Sequence, residues 1–165
     1  MPRLPQDEVL AVSTPAQFKA MAHPLRQRLL FALVQTPATI SQLAGSLSVA
    51  KGSVAHHLKV LREAGMVRIV ETRQVRGGTE QYYQRSARRL EVPDGLAGPT
   101  TALLHAVAEE VVRSPDPMLT VRHLRLTAEQ AAEFRGRLEG LVDSLRDAGD
   151  GETGYGVLVT MYESG

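Results

Sequence analysis

The chain has 165 residues, 43% of them hydrophobic, and no cysteine. That length allows one domain with an extension, or two small ones, and a cysteine-free chain excludes disulfides, thiolate metal sites and cysteine nucleophiles. Net charge is only +1, yet residues 1–93 hold 13 Lys and Arg against 6 Asp and Glu, a surplus of +7, while residues 94–165 hold 6 against 12, a balance of −6. The basic half is the one suited to a polyanion. No apolar run approaches the roughly 18 residues of a membrane span. The N-terminal MPRLPQDEVLAV is acidic where a signal peptide requires bases, so a cytoplasmic protein without membrane contact is expected.

Residues 1–13 read as an arm. Thr14 then caps a helix, with Pro15 at its first position and Gln17 completing a capping box. His23-Pro24 breaks and restarts it. Leu25, Leu29, Ala32 and Leu33 make the next helix amphipathic, and Thr36-Pro37 stops it. Thr39 opens another helix, TISQLAGSL, with Gln42 three residues on as a second capping box and Ile40, Leu43, Ala44 and Leu47 as its apolar stripe. Ser48-Val49-Ala50 is a short turn.

KGSVAHHLKVLREAG follows. Val54, Leu58, Leu61 and Gly65 share one helical face. Gly52, Ala55, His56, Lys59 and Glu63 lie opposite, and Gly65 suits a C-cap. Adjacent histidines do not face each other on a helix, so His56 and His57 cannot easily aim at one metal. His56 points outward. His57 sits at the flank, half-buried, placed for a hydrogen bond or a phosphate contact.

MVRIVETRQVRGGTEQYYQRS is β-prone, with Gly77-Gly78 at a loop tip and Glu80 to Gln84 as the returning strand. Arg73 and Arg76 sit near the tip. One of Tyr82 and Tyr83 packs under the hairpin, and Arg85, Arg88 and Arg89 read as a phosphate track. Pro93-Asp94-Gly95 punctuates the chain. A helix over 99–113 follows, then a linker at Pro115 and Pro117. VRHLRLT reads as a strand. Thr127 and Gln130 open a helix to about Ala148, with Ala131, Phe134, Leu138, Leu141, Val142 and Leu145 inward. YGVLVTMY reads as a second strand.

Helix, helix, turn, helix and a basic hairpin make a winged helix-turn-helix. The fold is therefore mostly α with small β: a DNA-binding domain over 14–93, a helix over 94–115 and a strand–helix–strand segment over 116–165. The third helix of the motif enters the major groove. Lys51 reaches guanine or phosphate, Gly52 allows close approach, Ser53 donates or accepts, Ala55 meets a thymine methyl, and His56 faces the bases. Arg73 and Arg76 lie on flanking backbone or minor groove.

AHPLRQRLLFAL, TISQLAGSLSVAKGSVAHHLKVLREAGMV and GGTEQYYQR resemble the arsenic-repressor-type (ArsR) family of bacterial winged-helix regulators, over about residues 15–90. The resemblance implies a homodimer reading a roughly palindromic operator, with repression relieved by a small-molecule effector of unspecified identity. It implies Ser41 and Gln42 as backbone contacts, and Lys51, Ser53, Val54, His56 and His57 on the recognition helix. It implies dimer helices at roughly 15–22 and 99–113. Two departures stand out. Metal-sensing members carry cysteines in or near the recognition helix, and this chain has none. Ala50 stands where a serine N-cap is common. Lys51-Gly52 looks like a non-metal subgroup with an extra C-terminal segment.

The competing reading is a winged-helix interaction or dimerization module without specific DNA readout. The lack of a G-x-G-x-x-G loop and of room for a cofactor domain counts against its use at the front of a methyltransferase. No nucleophile–base pair, phosphate loop or metal-ligand cluster supports an enzyme, a cofactor or a metal site. His105 and Glu109 have i, i+4 spacing, but two ligands are too few for a metal.

Overall fold

The computed structural model describes residues 9–93, 95–149 and 151–164. The expected arm therefore lies mostly outside the described residues, as does Asp94 of the Pro-Asp-Gly stop. The chain divides into two units, one running to Ser114 and the other from Pro115.

In the first unit, β1 (Val9–Ala11) leads to α1 (Pro15–Met21), α2 (Pro24–Gln35), α3 (Ile40–Leu47) and α4 (Lys51–Glu63). Then come β2 (Val67–Val75), β3 (Gly78–Arg85), β4 (Arg89–Glu91) and α5 (Ala97–Arg113). The local chemistry explains the boundaries. Thr14 and Thr39 accept from the amides of Gln17 and Gln42, whose side chains return the bond to the cap backbone. His23 caps α2 by accepting the Leu25 amide on Nδ1 at 3.2 Å, and Pro24 starts that helix with its preset φ. Gly65, at φ 72°, takes the left-handed position that ends α4. Ser48 ends α3 in the same conformation at φ 55°, which sharpens the turn into α4.

The core joins α2, α3, α4 and the root of the hairpin. Leu29, Leu30, Leu33, Leu43, Leu58 and Leu61 are all but fully buried in it. Each such side chain contributes about 2 kcal/mol by leaving water. β2 and β3 form an antiparallel wing with a bulge between Ile69 and Glu71 and a turn over Arg76-Gly77. Ala38 pairs with Tyr83 through two backbone bonds of 2.9 Å. This stitch fixes the wing to the start of α3. The wing and the three helices together are a winged helix-turn-helix.

Two features of this unit go beyond the sequence reading. Residues 9–11, assigned to the arm, pair in parallel with 89–91. This brings Val12 into the core at 1% exposure. α5 packs on α1 and α2 through Pro99, Ala102 and Ala106.

In the second unit, α6 (Ala128–Ser144) begins at the expected third capping box of Thr127 and Gln130. The rest departs from the sequence reading. α6 stops at Ser144, not Ala148, and buries none of its residues; Phe134, Leu141, Val142 and Leu145 are exposed. The segments expected as strands, VRHLRLT and YGVLVTMY, join no ladder among the described residues. A strand is defined by its hydrogen-bonded neighbour, and these segments have none among the described residues.

Candidate nucleic-acid interface

α4 is held from behind and open in front. Val54, Leu58 and Leu61 lock one face into the core, while Lys51, Gly52, His56 and Lys59 are exposed on the other. Ser53, Ala55 and His57 are half-buried between the two. Val54 is 0% exposed. Its expected place among the DNA contacts is corrected: it anchors the helix and offers no surface to a ligand. Ala50, at the N-cap, makes no side-chain cap bond. The first amides of α4 therefore receive no bond from an N-cap side chain.

Ser41 and Gln42 are exposed on the first turn of α3. The Gln42 side-chain oxygen already accepts the Thr39 amide at 2.8 Å, so a phosphate would have to be met by its amide nitrogen. On the wing, Arg76 is exposed at the turn. Arg73 is exposed too, but its guanidinium pairs with Glu71 and lies 4.6 Å over the Tyr82 ring. The hydrogen bond from Arg73 holds the Glu71 carboxyl below its usual pKa. Tyr83 is the tyrosine packed under the wing.

Of the expected phosphate track, Arg89 is exposed and Arg88 half-buried, but Arg85 is not available to it. Arg85 is buried, its Nε donating to the Ala87 carbonyl at 2.6 Å and its Nη2 to that of Arg88. Burial and the neighbouring Arg88 push its pKa down to about 10. Arg85 closes the chain reversal after β3 instead of reaching solvent.

Behind α4 lies a cluster that periodicity alone did not show. Arg26 of α2 is buried, and its guanidinium donates to the carbonyls of Ala20 and, at 2.7 Å, Lys19. Its Nη1 lies 3.3 Å from Nδ1 of His57. Arginine has only donors, so this Nδ1 accepts and the neutral ring carries its hydrogen on Nε2. His23 packs 4.4 Å from His57, ring centre to ring centre. Burial, then the charges of His23, Arg26 and His56, lower the His57 pKa to about 4. Burial and Arg26 lower that of His23 as well. His57 is thus a neutral strut between α2 and α4.

Arg28 forms a second brace. It is buried, donates to the Leu47 carbonyl at 3.0 Å and pairs with Glu109 of α5 at 2.8 Å. Leu47 is the last residue of α3, just before the turn into α4, so one side chain ties α5 to the helix-turn-helix corner. Glu109, weighed above as half of a metal pair with His105, is engaged by Arg28 and, at 3.4 Å, Arg113. The signal for both braces was present in LRQRLL. Arg26, Gln27 and Arg28 interrupt the leucines of a helix that has neighbours on several sides, where every polar group must find a partner.

The described residues hold no helix long and apolar enough to cross a membrane. No curated protein matches the chain. Among solved structures, the transcriptional repressor BigR from Xylella fastidiosa is similar at 20% identity, over 59% of this chain and 84% of that one, with a TM-score of 0.36. Residues 23–68 match the family described as bacterial regulatory protein, arsR family. The matched stretch runs from His23 through α4 to the first residues of the wing.

Proposed function

We propose that the protein is a dimeric DNA-binding transcriptional regulator, a repressor that reads an inverted-repeat operator in the bacterial cytoplasm. The observation that carries this reading is α4: an arsR-type helix clamped by its apolar side, with Lys51, Gly52, His56 and Lys59 turned out. His56 and Lys51 read base edges, and Ser53 and Ala55 contact the groove at its margin. Ser41, Gln42, Lys59 and Arg76 bind phosphates, with Arg73 beside them on the wing. His57 acts from behind, through Arg26.

A dimer is supported by α5. Its inner side is buried on α1 and α2, while Leu104, Ala108 and Val112 form an exposed stripe at helical spacing, Val112 at 85% exposure. A second copy applied to that stripe would present two α4 helices to one face of a duplex. Relief of repression by an effector would act through α5, because Arg28 links that helix to the reading corner.

Selection of bound duplexes from a random library with the purified protein tests this reading. The expected product is an inverted repeat with half-sites about 10 base pairs apart, centre to centre. A pool that stays unenriched after several rounds contradicts sequence reading and leaves the interaction module as the better account.

A further inference from the structure

The wing carries a group of side chains that attraction to phosphate does not explain. Beyond the bulge its register is regular, with Glu71 opposite Tyr82 and Arg73 opposite Glu80. Directly opposed residues share a face of the ladder, and so do residues two apart on a strand. Glu71, Arg73, Glu80 and Tyr82 therefore occupy one face. It holds two carboxylates and one guanidinium, a net acidic set on a hairpin proposed above to lie on a polyanion.

Arg73 is held on this face from two sides. Its Nε donates to the Glu71 carboxylate. Its guanidinium lies 4.6 Å over the Tyr82 ring, with Nη1 3.4 Å from the Tyr82 hydroxyl. Its Nη2 meets no acceptor among the described residues. A planar cation is thus fixed by a carboxylate and an aromatic ring, with one edge left open. Glu80 has a second neighbour. A cleft between the start of α3 and the wing is lined by Thr39 and Ser41 on one side and by Thr79, Glu80 and Gln81 on the other. A phosphate bound at Ser41 would share that cleft with the Glu80 carboxylate, which repels it.

A repulsive element built against a ligand raises specificity by penalising every wrong site. The penalty from Glu71 and Glu80 falls on all duplexes alike. It is offset where DNA offers a deeper negative potential than an ordinary row of phosphates. The narrow minor groove of an A·T tract has that potential and takes up arginine.

We propose that Glu71 determines specificity for DNA: with Tyr82 it withholds Arg73 from phosphates and presents its open edge to the narrow minor groove of A·T-rich sequence flanking the site of α4. This rests on the DNA reading above and adds a sequence preference outside the α4 contacts.

Fluorescence anisotropy on duplexes that share the selected inverted repeat, with A·T-rich or G·C-rich flanks, tests the proposal beside a duplex with a scrambled core. The wild type should prefer A·T flanks by about tenfold. Glu71→Gln should bind the G·C-flanked duplex about threefold more tightly than the wild type, and its preference for A·T flanks should fall to about twofold or less. Arg73→Lys keeps the charge but not the planar fork; it should hold its affinity for G·C flanks and lose the A·T preference. A flank preference that is absent from the wild type, or unchanged in either variant, overturns the proposal while preference for the repeat over the scrambled core leaves the DNA reading standing. No gain on G·C flanks in Glu71→Gln overturns it likewise. Equal wild-type binding to repeat and scrambled cores overturns the DNA reading and this proposal together.

Discussion

At the scale of single residues, the two neighbouring histidines of α4 divide into an exposed side chain, proposed above to read bases, and a strut. His57 accepts from Arg26 and packs on His23, so a proton on its Nδ1 would point at a cation. Its folded pKa of about 4 lies below the unfolded value of about 6.5. Between those values the unfolded chain binds more protons, so stability rises with pH across that window. It is full above about pH 6.5 and is lost as pH falls toward about 4; the lowered His23 adds in the same direction. His57→Gln keeps an acceptor for Arg26 but cannot protonate. Thermal unfolding of this variant should show a shallower fall in Tm over that window than the wild type. An equal slope would remove His57 from the acid response.

His56 and Arg76 should separate base reading from charge. His56→Ala should weaken operator binding by about 1 kcal/mol more than binding to random duplex. Arg76→Ala should weaken both alike and reduce the salt slope by about 1. Titrations on both duplexes at several salt concentrations check this; equal losses on the two for His56→Ala would end its reading role.

At the scale of elements, α4 is anchored by packing and by the Arg26 strut, without a side-chain cap. Ala50→Ser should supply one and raise stability by about 1 kcal/mol, visible as a higher denaturant midpoint. The Arg28 brace joins three elements, α2, α5 and the end of α3. Arg28→Ala should cost about 2 kcal/mol, since a charge-assisted bond to a half-buried carbonyl and the packed stem are lost together. Glu109→Gln leaves the Leu47 bond in place and should cost well under half as much. If the two variants destabilise equally, the ion pair and not the carbonyl bond carries the brace.

The elements also show how far the residues alone could be read. Three Thr-x-x-Gln capping boxes, the His-Pro break and the Gly-Gly tip are local signals, complete within four residues. They placed the starts of α1, α2, α3 and α6 correctly and the wing turn to within one residue. The Arg26 and Arg28 braces depend on contacts across the fold; LRQRLL signals that its polar groups need partners, not which partners they find. Val54 was assigned to DNA by its position in a motif, although its place on the Val54–Leu58–Leu61 stripe marked it as core. The apolar pattern of α6 announced a helix with a face to cover, but periodicity does not say what covers it.

For the whole molecule, the uneven charge has a structural meaning. The basic surplus falls on the winged-helix part of the first unit, and the acidic surplus falls on α5 and the second unit. Phosphate binding by one side of such a chain should be steep in salt and insensitive to changes in residues 115–165 that leave the dimer intact. What covers the exposed stripe of α5 was not legible in the sequence, because periodicity marks an apolar face and not its partner. The central claim is that α4 reads DNA. Fluorescence anisotropy on a labelled duplex from upstream of the protein's own gene, beside a scrambled duplex and across a salt series, tests it most directly. The account predicts tight, salt-steep binding that prefers the native duplex by a factor on the order of a thousand. Equal, weak binding to both duplexes at every salt concentration would contradict it.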